Sequence, residues 1–242
     1  MIQILSSRQI MKLLLIGLLF FTVGPPAVVK AATTASISSL YITISVNPGG
    51  TYTIVSRVPA WTFGGNIGHT LTNIGTKTGS DNLGSYQEIV FNYQDSSGAS
   101  RGGSIRSYDK RPIVLFTDTY LSAASNTSPF PHLTTLPKNL FHLTYAGGFA
   151  QNTFTNFGAD SPWLYFDAAG NAFVLSPASD FMIASTTKTS NGSISTDINP
   201  VITKLPAGFI HKTFLVIGQG INTTFEMCGH AMTDFQGKIR PF

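Results

Sequence analysis

Hydrophobic and polar residues alternate along much of the chain, and this alternation predicts β-strands. From Leu40 to Val46 every second residue is aliphatic, and the residues between them are Tyr, Thr and Ser. A period of two is the pattern of a strand that buries one face. The segment Asn47-Pro48-Gly49-Gly50 predicts a turn, because proline fixes φ and glycine tolerates positive φ. Tyr52–Ser56 is then the expected hairpin partner.

Strand patterns recur along the rest of the chain, separated by turn residues. The run Ile113–Phe116 is continuously apolar, as expected of a strand that is covered on both faces. Gly170 favours a tight hairpin, since glycine adopts the left-handed conformation. These further predicted strands are Tyr86–Tyr93, Ser104–Tyr108, Ile113–Phe116, Trp163–Asp167, Ala172–Leu175 and Phe209–Ile217. Between them, Leu121–Asn139 contains three prolines and is expected to be a long irregular loop.

One helix is expected near the end of the chain. Thr223 and Glu226 have the spacing of a capping box, so Thr223 is the predicted N-cap and Glu226 its reciprocal partner. Apolar residues then follow at helical spacing: Phe225, Cys228, Met232 and Phe235. Gly237 is expected to end the helix. The sequence thus predicts an all-β fold, a large antiparallel β-sandwich over residues 32–220, with a C-terminal helix and exit segment over residues 221–242.

The first 31 residues have the pattern of a secretory signal peptide. Arg8 and Lys12 form a positive region, and Leu13–Val23 is an apolar run of 11 residues. That run is too short to span a bilayer, which takes roughly 20 residues. Val29 and Ala31 provide small residues at the −3 and −1 positions, which suits cleavage after Ala31. We therefore expect a secreted or periplasmic protein with no membrane span once the signal is removed.

Charge and cysteine content exclude several classes of protein. The chain has 15 Lys and Arg against 11 Asp and Glu. Three of those basic residues lie in the predicted signal, which leaves 12 basic and 11 acidic residues. Nucleic acid is therefore not an expected partner, and the only basic cluster is Arg101, Arg106, Lys110 and Arg111. The single cysteine, Cys228, excludes a disulfide framework and is expected to be a buried apolar residue.

No local catalytic motif is present. The chain lacks the Gly-x-Ser-x-Gly elbow of serine hydrolases, and its five histidines do not have metal-ligand spacing. We therefore predict no catalytic residue, metal or cofactor. Glycoside hydrolysis would need two facing carboxylates, for which Asp118, Asp160 and Asp180 are the freest residues. Asp95 and Asp167 instead occupy turn positions where aspartate is structurally favoured.

A mutarotase-type reaction is an alternative, with histidine and glutamate as acid and base on a sugar ring. His142 and His211 lie in predicted strands, and Glu88 is the candidate base. The alternative structural interpretation is simpler. It makes His211 a partly exposed strand residue and puts Glu88 on the solvent-exposed face, opposite Ile89.

Two tryptophans are candidate sugar-binding platforms. Trp61 and Trp163 both lie near Gly or Pro turns, and an apolar ring with a polar N–H suits a pyranose face. A role in the core is the alternative, since tryptophan is usually buried. Three sequons, which begin at Asn126, Asn191 and Asn222, would be glycosylated only in a host that modifies secreted proteins.

Several segments resemble the N-terminal β-sandwich domain of α-galactosidase and raffinose-synthase-like glycoside hydrolases. They are Leu140–Gly148, Ser161–Trp163, Leu175–Ala178 and Leu205–Phe209. The resemblance implies a galactose-mutarotase-like super-sandwich whose terminal helix leads into a catalytic (β/α)₈ barrel. The catalytic aspartates of those enzymes lie on barrel strands, and no such strand–helix series follows here. Catalytic residues are therefore not carried over to any position of this chain.

Three functions fit these observations. The first is a non-catalytic accessory domain of a glycoside-hydrolase-like protein, which provides a scaffold and can contact carbohydrate. The second is a free-standing carbohydrate-binding module that uses Trp61, Trp163 and the Leu121–Asn139 loop. The third is an exported structural or adhesive protein without a small ligand.

Overall fold

A computed structural model describes residues 33–125, 128–145, 149–151, 157–159 and 162–238 of the chain. The predicted signal peptide lies outside these residues, as do Asn126 and Asp160. All pairings between strands in the described ranges are antiparallel. The predicted all-β fold with a C-terminal helix is therefore confirmed.

The strands form two large sheets and one small one. The eight-stranded sheet contains, in spatial order, β1 (Ala35–Ser38), β2 (Ile42–Val46), β3 (Thr51–Ser56), β4 (Trp61–Asn66), β10 (His132–Thr135), β17 (Ile194–Ile198), β16 (Ala184–Lys188) and β13 (Phe157–Ala159). The nine-stranded sheet contains β12 (Phe149–Gln151), β11 (Phe141–Tyr145), β14 (Trp163–Phe166), β15 (Asn171–Pro177), β19 (Ile210–Gln219), β8 (Ile113–Tyr120), β7 (Ser100–Tyr108), β6 (Gly84–Gln94) and β5 (Thr72–Asp81). The small sheet pairs β9 (Ala124–Ser125) with β18 (Lys204–Leu205).

The main core lies between the inner faces of the two large sheets. Ile44 and Phe63 of the eight-stranded sheet share one buried cluster with Phe91, Phe116 and Leu215 of the nine-stranded sheet. Each fully buried side chain of this kind contributes about 1.5–3 kcal/mol relative to an exposed one. The alternation read from the sequence therefore has its physical origin in a two-layer sandwich.

The outer face of the nine-stranded sheet is partly covered by the helix α1 (Ile221–Phe235). Cys228 and Ala231 of the helix are buried against outward-facing strand residues such as Phe214. The helix approaches the sheet closely at Gly218, where a Cβ atom would lie 2.7 Å from the Thr224 hydroxyl oxygen. One end of this face is thus apolar and covered.

In the described ranges, no helix combines the length and apolarity that crossing a bilayer requires.

Two details of the helix differ from the prediction. The N-cap is Gly220 rather than Thr223, and no side chain caps the helix. Because β19 runs directly into α1 through Gly220 at positive φ, the helix begins before the predicted capping box. Thr224 is buried and its hydroxyl donates to the Gly220 carbonyl (2.8 Å), whereas Phe225 is 37% exposed and lies outside the apolar stripe.

The predicted long loop Leu121–Asn139 is also only partly irregular. It contains β9 and β10, and β10 inserts between β4 and β17 to join the two halves of the eight-stranded sheet. Leu133 of β10 is fully buried in the core. The strand was missed because it has only four residues and prolines lie close on both sides.

Candidate functional site

The structure gives the two predicted platform tryptophans different environments. Trp163 is fully buried and stacks on His142, with 5.6 Å between ring centroids. A sugar could reach this ring only if the sandwich opened. Trp61 is partly exposed and packs edge-on against Phe173 at 6.1 Å, so part of its ring remains open to solvent. Sugar binding by these residues stays a prediction. Of the two, Trp61 is the more accessible to a ligand.

Two residues of the mutarotase-type alternative, Glu88 and His211, lie on opposite faces of the nine-stranded sheet. His211 has an inward-facing side chain that is only 2% exposed, which corrects the expectation of a partly exposed residue. Glu88 does face outward, but it is not solvent-exposed: Ser104 donates to its Oε1 at 2.6 Å and Lys77 Nζ lies 3.0 Å from its Oε2. The sheet therefore separates the candidate base from His211.

Of the three freest aspartates, the structure describes Asp118 and Asp180, and these two have different partners. Asp118 is bound to a buried arginine, as described below. Asp180 has an oxygen 3.9 Å from Nδ1 of His211. Asp160 lies outside the described residues.

The two sequons in the described part begin at exposed positions: Asn191 lies between β16 and β17, and Asn222 lies in the first turn of α1.

A cavity of about 610 Å³ opens at one end of the nine-stranded sheet. We call it the Arg101 cavity. Neutral hydrogen-bonding side chains, two aromatic rings and one guanidinium line it. The lining residues are His69, Thr70, Thr72, Asn92, Tyr93, Gln94, Ser100, Arg101 and Leu121. They come from the β4–β5 connection and from the ends of β5, β6, β7 and β8, so the meeting of these strand ends creates the cavity.

A buried ion network forms one wall of the Arg101 cavity. Arg101 is fully buried, and its guanidinium contacts both oxygens of Asp118 through Nε and Nη2. Its Nη1 lies 3.4 Å from Asp95 Oδ2. The ring of Tyr120 lies 3.7 Å from the guanidinium carbon, a cation–π contact. The Tyr93 hydroxyl donates to Asp118 Oδ1 at 3.4 Å.

The electrostatics of this network follow from burial and pairing. Burial raises the pKa of Asp118 to about 6, although Arg101 opposes the shift. Asp95 is different: desolvation tends to raise its pKa, but hydrogen bonds from Ser97 and Ala99 outweigh it and leave the pKa below its usual value. Asp95 thus also organises its own turn, as its sequence position predicted.

Chemically, the Arg101 cavity is suited to binding rather than to acid–base catalysis. Asp95 and Asp118, the two carboxylates that contact Arg101, are both engaged by its guanidinium. The side chains that remain to meet a ligand are amides and hydroxyls, such as Asn92, Gln94 and Ser100. His69 stacks on Tyr93 with 5.5 Å between centroids and only 14° between planes, which forms an aromatic wall. Such a set can hydrogen-bond a polyhydroxylated ligand and cover one apolar face.

Comparison with known proteins shows similarity in fold only. No family model matches the chain, and no curated protein has a matching sequence. The alpha-N-acetylgalactosaminidase NagBb from Bifidobacterium bifidum, in its GalNAc complex, matches with a TM-score of 0.53 and 12% identity, over 85% of this chain and 40% of that one. A Glycoside Hydrolase Family 97 enzyme from Pseudoalteromonas sp. strain K8, in complex with acarbose, matches with a TM-score of 0.53 and 10% identity, over 77% of this chain and 36% of that one.

This chain therefore shares the fold of a β-sandwich portion found in glycoside hydrolases, and it spans well under half the length of those enzymes. That agrees with the resemblance seen in the sequence at the level of fold. The finer assignment to α-galactosidase and raffinose-synthase-like enzymes stays a prediction.

Sequence reasoning missed the Arg101 cavity because it grouped Arg101 with Arg106 as surface charge. A usable signal was present. In a strand of period two, Arg101 shares its face with Gly103 and Ile105, and Ile105 belongs to the core. The alternation therefore points Arg101 inward and Arg106 outward. The partners Asp95 and Asp118 could not be identified, because no spacing rule links them to Arg101.

Proposed function

We propose that this chain is an exported, non-catalytic β-sandwich domain of a glycoside-hydrolase-like protein, which provides a scaffold and contacts carbohydrate at the Arg101 cavity. One observation carries the proposal. The fold similarity to two glycoside hydrolases covers 85% and 77% of this chain but only 40% and 36% of the enzymes. Most of each enzyme thus has no counterpart here.

The state of the carboxylates supports a non-catalytic role. A glycosidase needs one carboxyl group as a proton donor and a second as nucleophile or base. In the described part of the Arg101 cavity, Asp95 and Asp118 both bind one guanidinium, and Asp118 is buried behind it. Neither group is free to approach a glycosidic bond.

The lining of the cavity supports contact with carbohydrate. Its volume of about 610 Å³ lies within the usual range of ligand pockets, roughly 300–1,000 Å³. Asn92, Gln94 and Thr70 provide donors and acceptors without net charge, as neutral sugar hydroxyls require.

Export is supported by the signal pattern of the first 31 residues, and N-terminal sequencing of protein recovered from the medium or periplasm tests it.

Two assays on the purified chain test the proposal. We expect no turnover of aryl α-galactosides or aryl N-acetyl-α-galactosaminides, and clear turnover would refute the non-catalytic assignment. In titrations with oligosaccharides, followed by NMR or calorimetry, Gln94→Ala should weaken binding. Its matched control is Gln219→Ala, which removes an exposed glutamine at the end of β19 and should leave binding unchanged. Equal effects of the two substitutions, or no binding by any sugar, would refute contact at this cavity.

A further inference from the structure

A second depression lies on the outer face of the nine-stranded sheet, beside the part that α1 covers. We call it the outer trough; its volume is about 290 Å³. The floor consists of small side chains on neighbouring strands, among them Gly102, Ser104, Thr117 and Thr119. Because these residues are small, the sheet surface is lower here than under the helix. Asn92 and Leu121 line both the trough and the Arg101 cavity, so the two depressions are neighbours.

Positive charge predominates in the outer trough. Three cationic side chains, Lys77, Arg106 and Lys212, line it against the single carboxylate of Glu88. Arg106 and Lys77 both bind that carboxylate, at 3.3 and 3.0 Å. Asp81 also binds Arg106, so two carboxylates balance Lys77 and Arg106, and the excess is the one positive charge of Lys212.

Lys212 is the unmatched cation. In strand register it lies opposite Thr117, which in turn lies opposite Ser104, so Lys212 and the two hydroxyls form one row across the floor. Its Nζ lies 5.0 Å from the centre of the Phe235 ring of α1, a cation–π contact. In the described part of the chain, no carboxylate lies within 4.0 Å of its Nζ.

Arg106 is the second cation of the trough whose position is fixed by its contacts. Its guanidinium is held from two sides, by Asp81 Oδ2 at 2.6 Å from Nη1 and by the face of Tyr86 at 3.6 Å. Its Nε is nevertheless buried and, within the described residues, has no hydrogen-bond partner. Because this N–H is buried, a ligand in the trough does not reach it, and Lys212 is the cation that can meet an anionic group.

We propose that the outer trough binds a carboxylate-bearing sugar, a uronic acid residue of an oligosaccharide whose neighbouring residue occupies the Arg101 cavity. This inference rests on the proposed carbohydrate contact and adds its ligand class. The carboxylate lies against Lys212, and the ring hydroxyls meet Ser104 and Thr117 on the floor. The shared residues Asn92 and Leu121 lie at the junction between the two sugar residues.

The test compares a charged ligand with its uncharged methyl ester. Oligogalacturonate and its methyl ester are titrated into the purified chain at low salt by calorimetry. We expect the acid to bind about tenfold more tightly than the ester, as one charge-assisted hydrogen bond provides. Lys212→Met keeps the apolar stem on Phe235 and should abolish this preference. The matched control Lys138→Met removes an exposed lysine between β10 and β11 and should retain it.

Every other result of these titrations decides against a specific part of the inference. Equal binding of acid and ester by the unchanged chain overturns the uronate assignment and leaves the proposed carbohydrate contact intact. Absence of binding by both ligands overturns the uronate assignment, whereas the proposed carbohydrate contact is decided separately by the titrations of Gln94→Ala and Gln219→Ala with other oligosaccharides. Displacement of the acid by acetate or sulfate at equal concentration overturns the sugar assignment, because it shows a site for anions in general. Thermal unfolding of both variants verifies that the fold is retained, and loss of the preference in Lys138→Met as well overturns the role of Lys212.

Discussion

The buried histidine His211 should make the stability of this protein depend on pH in a specific way. Its side chain is 2% exposed, and within the described residues neither ring nitrogen has a hydrogen-bond partner. Desolvation therefore lowers its pKa from 6.5 to about 4, although Asp180 opposes the shift. At about 1.4 kcal/mol per pKa unit, protonation of the unfolded chain alone costs the fold about 3 kcal/mol between pH 6.5 and pH 4.

The cross-strand partner of His211 acts in the opposite direction. Asp118 lies directly opposite in register, and burial raises its pKa from 3.8 to about 6. In that window the folded state binds the extra proton, so this residue stabilises the fold by about 3 kcal/mol as the pH falls from 6 to 4. The two contributions offset each other. The part of the pH dependence due to this pair should therefore be nearly flat in the unchanged chain.

Substitution of His211 makes its own contribution to the pH dependence of stability measurable. We expect the free energy of unfolding of the unchanged chain, minus that of His211→Gln, to fall by about 3 kcal/mol from pH 7 to pH 4. Urea denaturation followed by tryptophan fluorescence at half-unit pH steps measures this difference. The matched control is His230→Gln, which removes an exposed histidine from α1. A difference between the unchanged chain and His211→Gln that does not vary with pH would refute the reasoning.

Three further substitutions or treatments test other parts of the structure. Arg101→Met should destabilise the fold by about 3–5 kcal/mol, because it leaves Asp118 buried without its counter-ion; a loss below 1 kcal/mol in urea denaturation would contradict the buried network. Gly103→Ala should cost about 1–3 kcal/mol, since the ring of Phe91 occupies the space of the added Cβ, and an unchanged melting temperature would contradict that packing. The Cys228 thiol is buried and its pKa is raised to about 12, so iodoacetamide should label it only after unfolding; rapid labelling of the native chain would contradict its burial.

Local chemistry made much of the fold predictable. The hairpin between β2 and β3 was confirmed because the turn Asn47–Gly50 has residues that tolerate its geometry, with Gly50 at φ 90°. The hairpin at Gly170 (φ 80°) was confirmed for the same reason. The helix cap was not predicted correctly, because the path of β19 into α1 decides where the helix begins, and that path depends on packing of the sheet.

The candidate site could be predicted only in part. The direction of Arg101 was available from strand periodicity, but its partners lie on separate strands and no sequence spacing links them. Glu88 illustrates the same limit. Its outward direction follows from alternation, whereas its burial depends on Lys77 and Arg106 from the two neighbouring strands.

The insertion of β10 between β4 and β17 determines when this protein can fold during its synthesis. β4 ends at Asn66, β10 ends at Thr135 and β17 ends at Ile198, so the eight-stranded sheet is incomplete until most of the polypeptide has left the ribosome. Contacts between residues so far apart in sequence form slowly, since long loops must close first. A nascent chain of this topology therefore stays unfolded for longer than one built from local hairpins alone.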